Sequence, residues 1–412
     1  MLNITNMLNI NRAAAALALA VTALAPMTSV AQQPQRLSVF IDQTINLHPA
    51  VRAAEKNLSK AKASASAAGQ YPYNPELSAG YEEAAEKTKE FGLSQTIDVW
   101  GRRSSAEALG FAEVEIARAE YDLVRTDLLE ALLRSLGANR KQTALLRLAE
   151  KRLDLSVRFL NLTGKFAAAG DIGRADVLTA EVGRSNAVLQ VAAAKAAVAD
   201  AQTALIALAG EQRTVWPKPA EIVGSAFDAL SPDVEKTPEM VMTRATLNAS
   251  KAGIDVAGKL WLPDPTVGVR VGKNGDSSLF GVSLSVPLPV WNRRSAEKIA
   301  ASEDAASKEF LVAETRRRLN ARLATAEVNL RSASEAVTHW RSIAQPTVAR
   351  QEALLNRLSE AREIGALEYL QQLDRLLETE ALGIELEQSL WSAWIDRLRA
   401  GANLLAWVEE LK

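Results

Sequence analysis

Four landmarks recur along this 412-residue chain in one order and at nearly one spacing, so it must fold as two similar halves. His48-Pro49 returns as Thr237-Pro238, and Asn74-Pro75 as Asp264-Pro265. Trp100-Gly101-Arg102-Arg103 returns as Trp291-Asn292-Arg293-Arg294, and Asp171-Ile172-Gly173 as Glu363-Ile364-Gly365. The spacing grows by a single position from each landmark to the next. A period this long marks a tandem duplication and not a short-repeat solenoid. The first copy is expected over residues 32–210 and the second over 237–412, with a proline-bearing equatorial linker at 211–236.

Each copy carries the same punctuation. Pro49 and Pro238 suit the first position of a helix, with His48 and Thr237 as its caps. Helices are expected at 49–70 and 238–260, long helices at 104–169 and 295–362, and return helices at 174–210 and 366–406. At the ordinary α-helical rise a helix over 104–169 spans about 100 Å. The return helix and the first helix of the next copy, laid end to end, nearly match it. Gly170, Gly173 and Gly365 fall at the turns, where helix breakers belong.

Between the first and the long helix of each copy, apolar and polar residues alternate. Leu77, Ala79 and Tyr81 lead one such segment, and Phe91, Leu93, Ile97 and Val99 the next. Val267, Val269 and Val271, then Phe280, Val282, Leu284, Val286 and Leu288, do the same in the second copy. Period two predicts strands with one apolar and one polar face, at about 75–83, 90–99, 265–273 and 278–288. That length suits a tilted membrane strand. Tyr71, Tyr73 and Trp100 flank the first hairpin, and Trp261 and Trp291 the second, as aromatics do at a membrane–water boundary. Four strands cannot close a barrel, and an open edge cannot survive in lipid. Several copies must therefore share one, eight strands from two chains or twelve from three.

Composition narrows the chemistry. Lys+Arg number 48 against 49 Asp+Glu, with no basic footprint for nucleic acid. There is no cysteine, and there are two histidines, which argues against disulfides, thiolate metal sites and imidazole triads. No constellation for catalysis, cofactor binding or metal binding stands out, so no enzyme activity and no cofactor are expected. Arg12, the apolar run Ala13–Pro26 and the small residues Ser29-Val30-Ala31 read as a signal peptide over 1–31. No later segment is expected to be an apolar membrane-spanning helix, and a Cys-linked lipid anchor is not expected.

These features together resemble the TolC family of outer-membrane channel proteins. The resemblance rests on Leu47-His48-Pro49, on Gly170-Asp171-Ile172-Gly173 with Val177-Leu178, and on Ile364-Gly365 with Tyr369-Leu370. The segment Val286-Pro287-Leu288-Pro289-Val290-Trp291-Asn292-Arg293 is most similar to the CzcC branch, which serves heavy-metal efflux. The resemblance implies a mainly α protomer and a homotrimer, with a twelve-stranded β-barrel in outer-membrane lipid above a long α-helical barrel in the periplasm. A periplasmic adaptor and an inner-membrane proton-driven pump of the resistance-nodulation-division type would complete a tripartite system. By position, periplasmic gate candidates are Asp171, Asp176, Glu360, Glu363 and Glu368, and solvated helix-end charges are the plainer alternative. Gly170, Ile172, Gly173, Ile364 and Gly365 are candidates for adaptor contact.

The implied function is a passive conduit for divalent heavy-metal cations of the cobalt, zinc, cadmium and nickel type. A drug or peptide exporter of the same fold and a periplasmic coiled-coil protein without a pore are the alternatives. Metal selectivity does not follow from this chain, because soft and borderline metals favour thiolate and imidazole ligands.

Overall fold

The computed structural model describes residues 36–83, 86–213, 215–218 and 230–410. The expected signal peptide at 1–31 and the linker stretch 219–229 lie outside the described residues. Helix α1 (Leu37–Leu47) precedes α2 (Pro49–Ala68), strands β1 (Glu76–Glu83) and β2 (Lys87–Thr96), the long α3 (Arg102–Ala168) and α4 (Arg174–Ala209). After a short 3-10 turn at Val234–Lys236, the order returns as α5 (Pro238–Lys259), β3 (Thr266–Asn274) and β4 (Ser277–Ser285). It continues through α6 (Ser295–His339), a π-helical turn at Trp340–Ala344, α7 (Gln345–Glu360), α8 (Ala366–Ala400) and α9 (Leu404–Glu410).

The helix starts follow their sequence signals. His48 Nδ1 accepts the Ala50 N–H at 3.2 Å, and Thr237 Oγ1 accepts the Met240 N–H at 3.4 Å, each one residue ahead of a first-position proline. Asp98 does the same for α3, its two carboxylate oxygens taking the Arg102 and Arg103 N–H groups at 2.9 Å each. At 67 residues α3 is about 100 Å long. It packs against α2 and α5 as well as α4 and α8, so shorter helices stacked end to end flank one long rod.

Several boundaries differ from the sequence expectation, each for a physical reason. The helix expected at 295–362 is interrupted at Trp340–Ala344 and ends at Glu360. Pro346 has no N–H to donate, and the turn widens so that the Gln345 N–H reaches back to the Trp340 carbonyl. The return helix expected at 366–406 ends at Ala400, and Ala402 at φ 60° turns the chain into α9. Strand β2 stops at Thr96, not 99, although the Ile97 N–H still reaches the Pro265 carbonyl at 2.9 Å. Strand β4 stops at Ser285, not 288, because Pro287 cannot donate to a ladder. Contrary to the expectation that no later segment would be an apolar membrane-spanning helix, α4 is long and apolar enough by length and composition to cross a membrane. Its alanines and valines carry that hydropathy, and most of its apolar stretch is left unburied within the protomer.

One apolar core sits at the midpoint of α3. Leu129, Leu132, Leu133 and Leu136 of α3 meet Phe40 and Ile41 of α1, Trp391, Trp394, Ile395 and Leu398 of α8, and Trp407 of α9. Trp216 from the linker closes it, edge-on to Phe40 with centroids 6.0 Å apart. A second core, toward the far end of α3, holds Leu155, Phe159, Trp340, Leu355, Tyr369 and Leu373. Two glycines let tryptophans key into facing helices. A Cβ on Gly137 would lie 2.3 Å from the Trp391 ring, and one on Gly383 would lie 2.1 Å from the Trp340 ring.

Candidate functional site

The strands form one antiparallel sheet in the order β1-β2-β3-β4. Its register aligns Ala79, Phe91, Val271 and Phe280 in one row, and Leu77, Leu93, Val269 and Val282 in the next. Phe280 is 74% and Leu77 80% exposed, and Phe91, Leu93, Val271 and Val282 are exposed too. The rows between them are small or polar: Ser78, Gly92, Arg270 and Gly281, then Glu76, Ser94, Gly268 and Ser283. One face of the sheet is therefore apolar and unburied within the protomer, a surface that belongs against lipid or another chain. Both outer strands, β1 and β4, leave a row of backbone groups unpaired by the sheet.

The flanking aromatics are mostly tied into the junction between sheet and helices. Tyr73 donates to Asp264 Oδ2 at 2.7 Å, and Arg102 Nε lies 3.4 Å from the same oxygen. Trp100 Nε1 donates to the Pro263 carbonyl at 2.8 Å. Tyr71 donates to the Thr96 carbonyl and accepts the Asp98 N–H, at 3.3 Å each. Trp261 is half-exposed, while Trp291 stands almost wholly in the open.

At the opposite end the two α-helical turns meet. The α3–α4 turn closes with the Asp171 N–H on the Phe166 carbonyl and the Gly170 N–H on that of Ala167. The α7–α8 turn repeats this with the Glu363 N–H on Leu358 and the Arg362 N–H on Ser359. Gly170 holds φ 81° and Arg362, its counterpart in the second copy, φ 62°. A left-handed arginine is held by its side chain: its guanidinium pairs with Asp171 Oδ2 at 2.6 Å and lies 4.2 Å from the Phe166 ring centroid.

The turns enclose a cleft of about 280 Å³. Of the sequence candidates, Asp171, Ile172, Asp176, Glu363, Ile364 and Gly365 line it, whereas Gly170, Gly173, Glu360 and Glu368 do not. Asp176 and Glu368 sit in the first turns of α4 and α8, where a carboxylate complements the helix dipole. Arg362, Phe166 and the Phe159–Tyr369 stack, at 4.2 Å and 13°, were not among the candidates. The alignment that sets Arg362 opposite a turn glycine was the signal that could have found the first. Among the described residues no group of three or more His, Asp or Glu could hold a metal ion.

Just behind the tip, Lys151 of α3 donates to Glu352 of α7 at 2.7 Å and to Glu380 of α8 at 2.8 Å. Burial opposes the charge on Lys151, but these two bonds outweigh it and hold the pKa above the ordinary lysine value. Burial, reinforced by the Glu352 charge, pushes the Tyr369 phenol up to about 12. The phenol is neutral in both states below pH 10. Above that the unfolded chain ionises and the folded one does not, so stability should fall between pH 10 and about 12. Following the phenolate absorbance of wild type against Tyr369→Phe checks this, with the variant expected to lack the late-titrating phenol.

Residues 40–211 match the family described as outer membrane efflux protein. No curated protein matches the chain. Among solved structures, CusC, described as forming a transmembrane channel, aligns with a TM-score of 0.75 at 16% identity, covering 89% of this chain and 91% of its own. The outer membrane protein VceC from Vibrio cholerae gives 0.74 at 15% identity, covering 88% and 95%. The CmeC outer membrane channel from Campylobacter jejuni gives 0.74 at 13% identity, covering 98% and 97%. The fold is therefore the one these solved outer-membrane channel structures share.

Proposed function

We propose that this protein is the outer-membrane channel of a tripartite, proton-driven efflux system, a conduit in which no bond is made or broken. The observation that carries the reading is the four-stranded sheet with an unburied apolar face and two open edges, joined to helical rods about 100 Å long. In lipid such a sheet needs closure, and three protomers supply twelve strands. The apolar α4, largely uncovered in one protomer, then lies in the wall of a helical barrel. A periplasmic adaptor and an inner-membrane pump of the resistance-nodulation-division type are the partners this architecture calls for, with the tip turns around Gly170, Ile172, Gly173, Ile364 and Gly365 as the adaptor surface.

The cargo we propose is a divalent heavy-metal cation, on the resemblance of Val286–Arg293 to the heavy-metal branch. Deleting the gene should remove tolerance to cobalt, zinc, cadmium or nickel while leaving tolerance to hydrophobic drugs unchanged. Lost drug tolerance with intact metal tolerance would move the cargo to the drug class and leave the channel standing.

The cleft between the turns is the proposed gate, with Asp171, Asp176 and Glu363 at it and Glu360 and Glu368 beside it. Arg362→Gly removes a left-handed cost of about 1–2 kcal/mol. It also removes an exposed ion pair and a cation–π contact worth roughly as much together. Its melting temperature should therefore move little, while conductance of the isolated channel in a planar bilayer rises. Unchanged conductance would demote the Arg362–Asp171 pair to a surface contact.

A further inference from the structure

The junction between β2 and β3 has a counterpart that one protomer leaves empty. Opposed residues in the first hairpin follow Glu76↔Ser94, and those in the second follow Thr266↔Ser285. If β3 repeats β1 on the spacing that relates Asn74-Pro75 to Asp264-Pro265, Thr266 corresponds to Glu76. Ser285 then corresponds to Ser94 on the spacing that relates Trp100 to Trp291. The two registers and the two landmarks agree, so the paired strand positions of the two hairpins correspond one to one, and the one-residue difference in spacing is taken up at the hairpin turn.

Within the protomer, β2 and the segment after it are fixed to the segment before β3 by a set of direct contacts. Trp100 Nε1 donates to the Pro263 carbonyl at 2.8 Å, and the Ile97 N–H to the Pro265 carbonyl at 2.9 Å. Arg102 donates to the Leu260 and Leu262 carbonyls and faces Asp264. Carried over on the same two spacings, the donors become Trp291, Leu288 and Arg293, and the acceptors become Tyr73, Pro75, and Gln70 with Pro72 beside Asn74. The donor side of that second junction is bare. Trp291 is 99% exposed against 45% for Trp100, Leu288 is 75% exposed, and Arg293 has no side-chain partner among the described residues.

We propose that this second junction forms between two copies of the chain. Trp291 and Arg293 of one protomer dock on the segment before β1 of the next, and β4 pairs antiparallel with that β1. The intra-protomer pair Leu93↔Val269 maps to Leu284 opposite Ala79, and both lie on the apolar face. This rests on the channel reading above and adds its residue-level seam. The occupant is a second copy because the bare donors fit an acceptor segment this chain itself carries. Asn74 in place of Asp264 removes the anion, so the seam between chains is held by backbone carbonyls and an indole and should respond little to salt.

The absence of native cysteine gives a clean test. Directly opposed strand residues lie within disulfide reach, and diagonal ones about 7–8 Å apart do not. Oxidation of Ala79→Cys/Leu284→Cys in detergent-purified protein should yield covalent trimers on a denaturing gel. The shifted pair Tyr81→Cys/Leu284→Cys should yield about tenfold less. In parallel, Trp291→Ala should weaken association of the chains about tenfold or more, and Trp100→Ala should not. A three-chain particle whose shifted pair links as well as the registered one, or whose registered pair does not link, overturns the seam. Equal effects of the two tryptophan variants on association also overturn it. A particle of one chain overturns the channel reading itself.

Discussion

Trp391→Ala is expected to destabilise the protomer by about 3–5 kcal/mol, the range for removing a buried large aromatic. Trp391 is 3% exposed, donates from Nε1 to the Leu133 carbonyl at 2.9 Å, and meets Trp407 with centroids 5.9 Å apart and planes at 63°. Its ring fills the space that Gly137 leaves on α3, so alanine leaves a void bounded by two rigid helices that cannot collapse into it. Trp391→Phe should recover most of the packing and lose the hydrogen bond, worth about 1 kcal/mol. Guanidinium melts followed by helical circular dichroism distinguish the two. Equal loss in both variants would assign the effect to the hydrogen bond and not to the packing.

Arg399→Ala should cost about 3 kcal/mol, because it leaves carboxylates without the cation they share. The Arg399 side chain is 4% exposed, with Nη2 2.6 Å from Asp127 and 2.7 Å from Glu239, and Nε 3.4 Å from Glu130. Those carboxylates come from α3 and α5, while the arginine comes from α8, so one guanidinium joins three helices beside the midpoint core. Glu130 keeps Arg134 at 2.8 Å, Glu239 keeps Arg322 at 3.8 Å and Asp127 is more than half exposed, which holds the loss at no more than the lower end of the range for a broken buried pair. Arg399→Met retains the apolar stem and should lose nearly as much. If the methionine variant is as stable as wild type, the packing of the stem and not the charge holds this joint.

The duplicated plan was legible because its landmarks are residues with strong local effects. Pro49 and Pro238 start helices, and Asp171-Ile172-Gly173 and Glu363-Ile364-Gly365 mark turns. The strands were legible because large apolar residues, many of them β-branched or aromatic, recur at nearly every second position, whereas the alternation of Lys60–Ala67 in α2 uses only alanine. Their ends were not. Ile97 and Val286 continue the alternation past the last residues of β2 and β4, and Pro287 decides the second case by lacking a donor.

What depends on distant partners was hidden. Asp127 and Arg399 stand 272 residues apart, and nothing local to either marks the joint. Helix α9 was missed because Gly401, which caps α8, stands in a run otherwise fit to continue as one helix, and the left-handed step beside it is taken by Ala402. The tip shows the same limit: the acidic candidates were visible, but the arginine that pairs with Asp171 sits where the first copy has a glycine.

Native mass spectrometry of the detergent-purified protein tests the shared barrel most directly. Three chains in the particle, with no free single chain at working concentration, is the predicted result. A particle of one chain, or of two, would contradict a wall built from twelve strands.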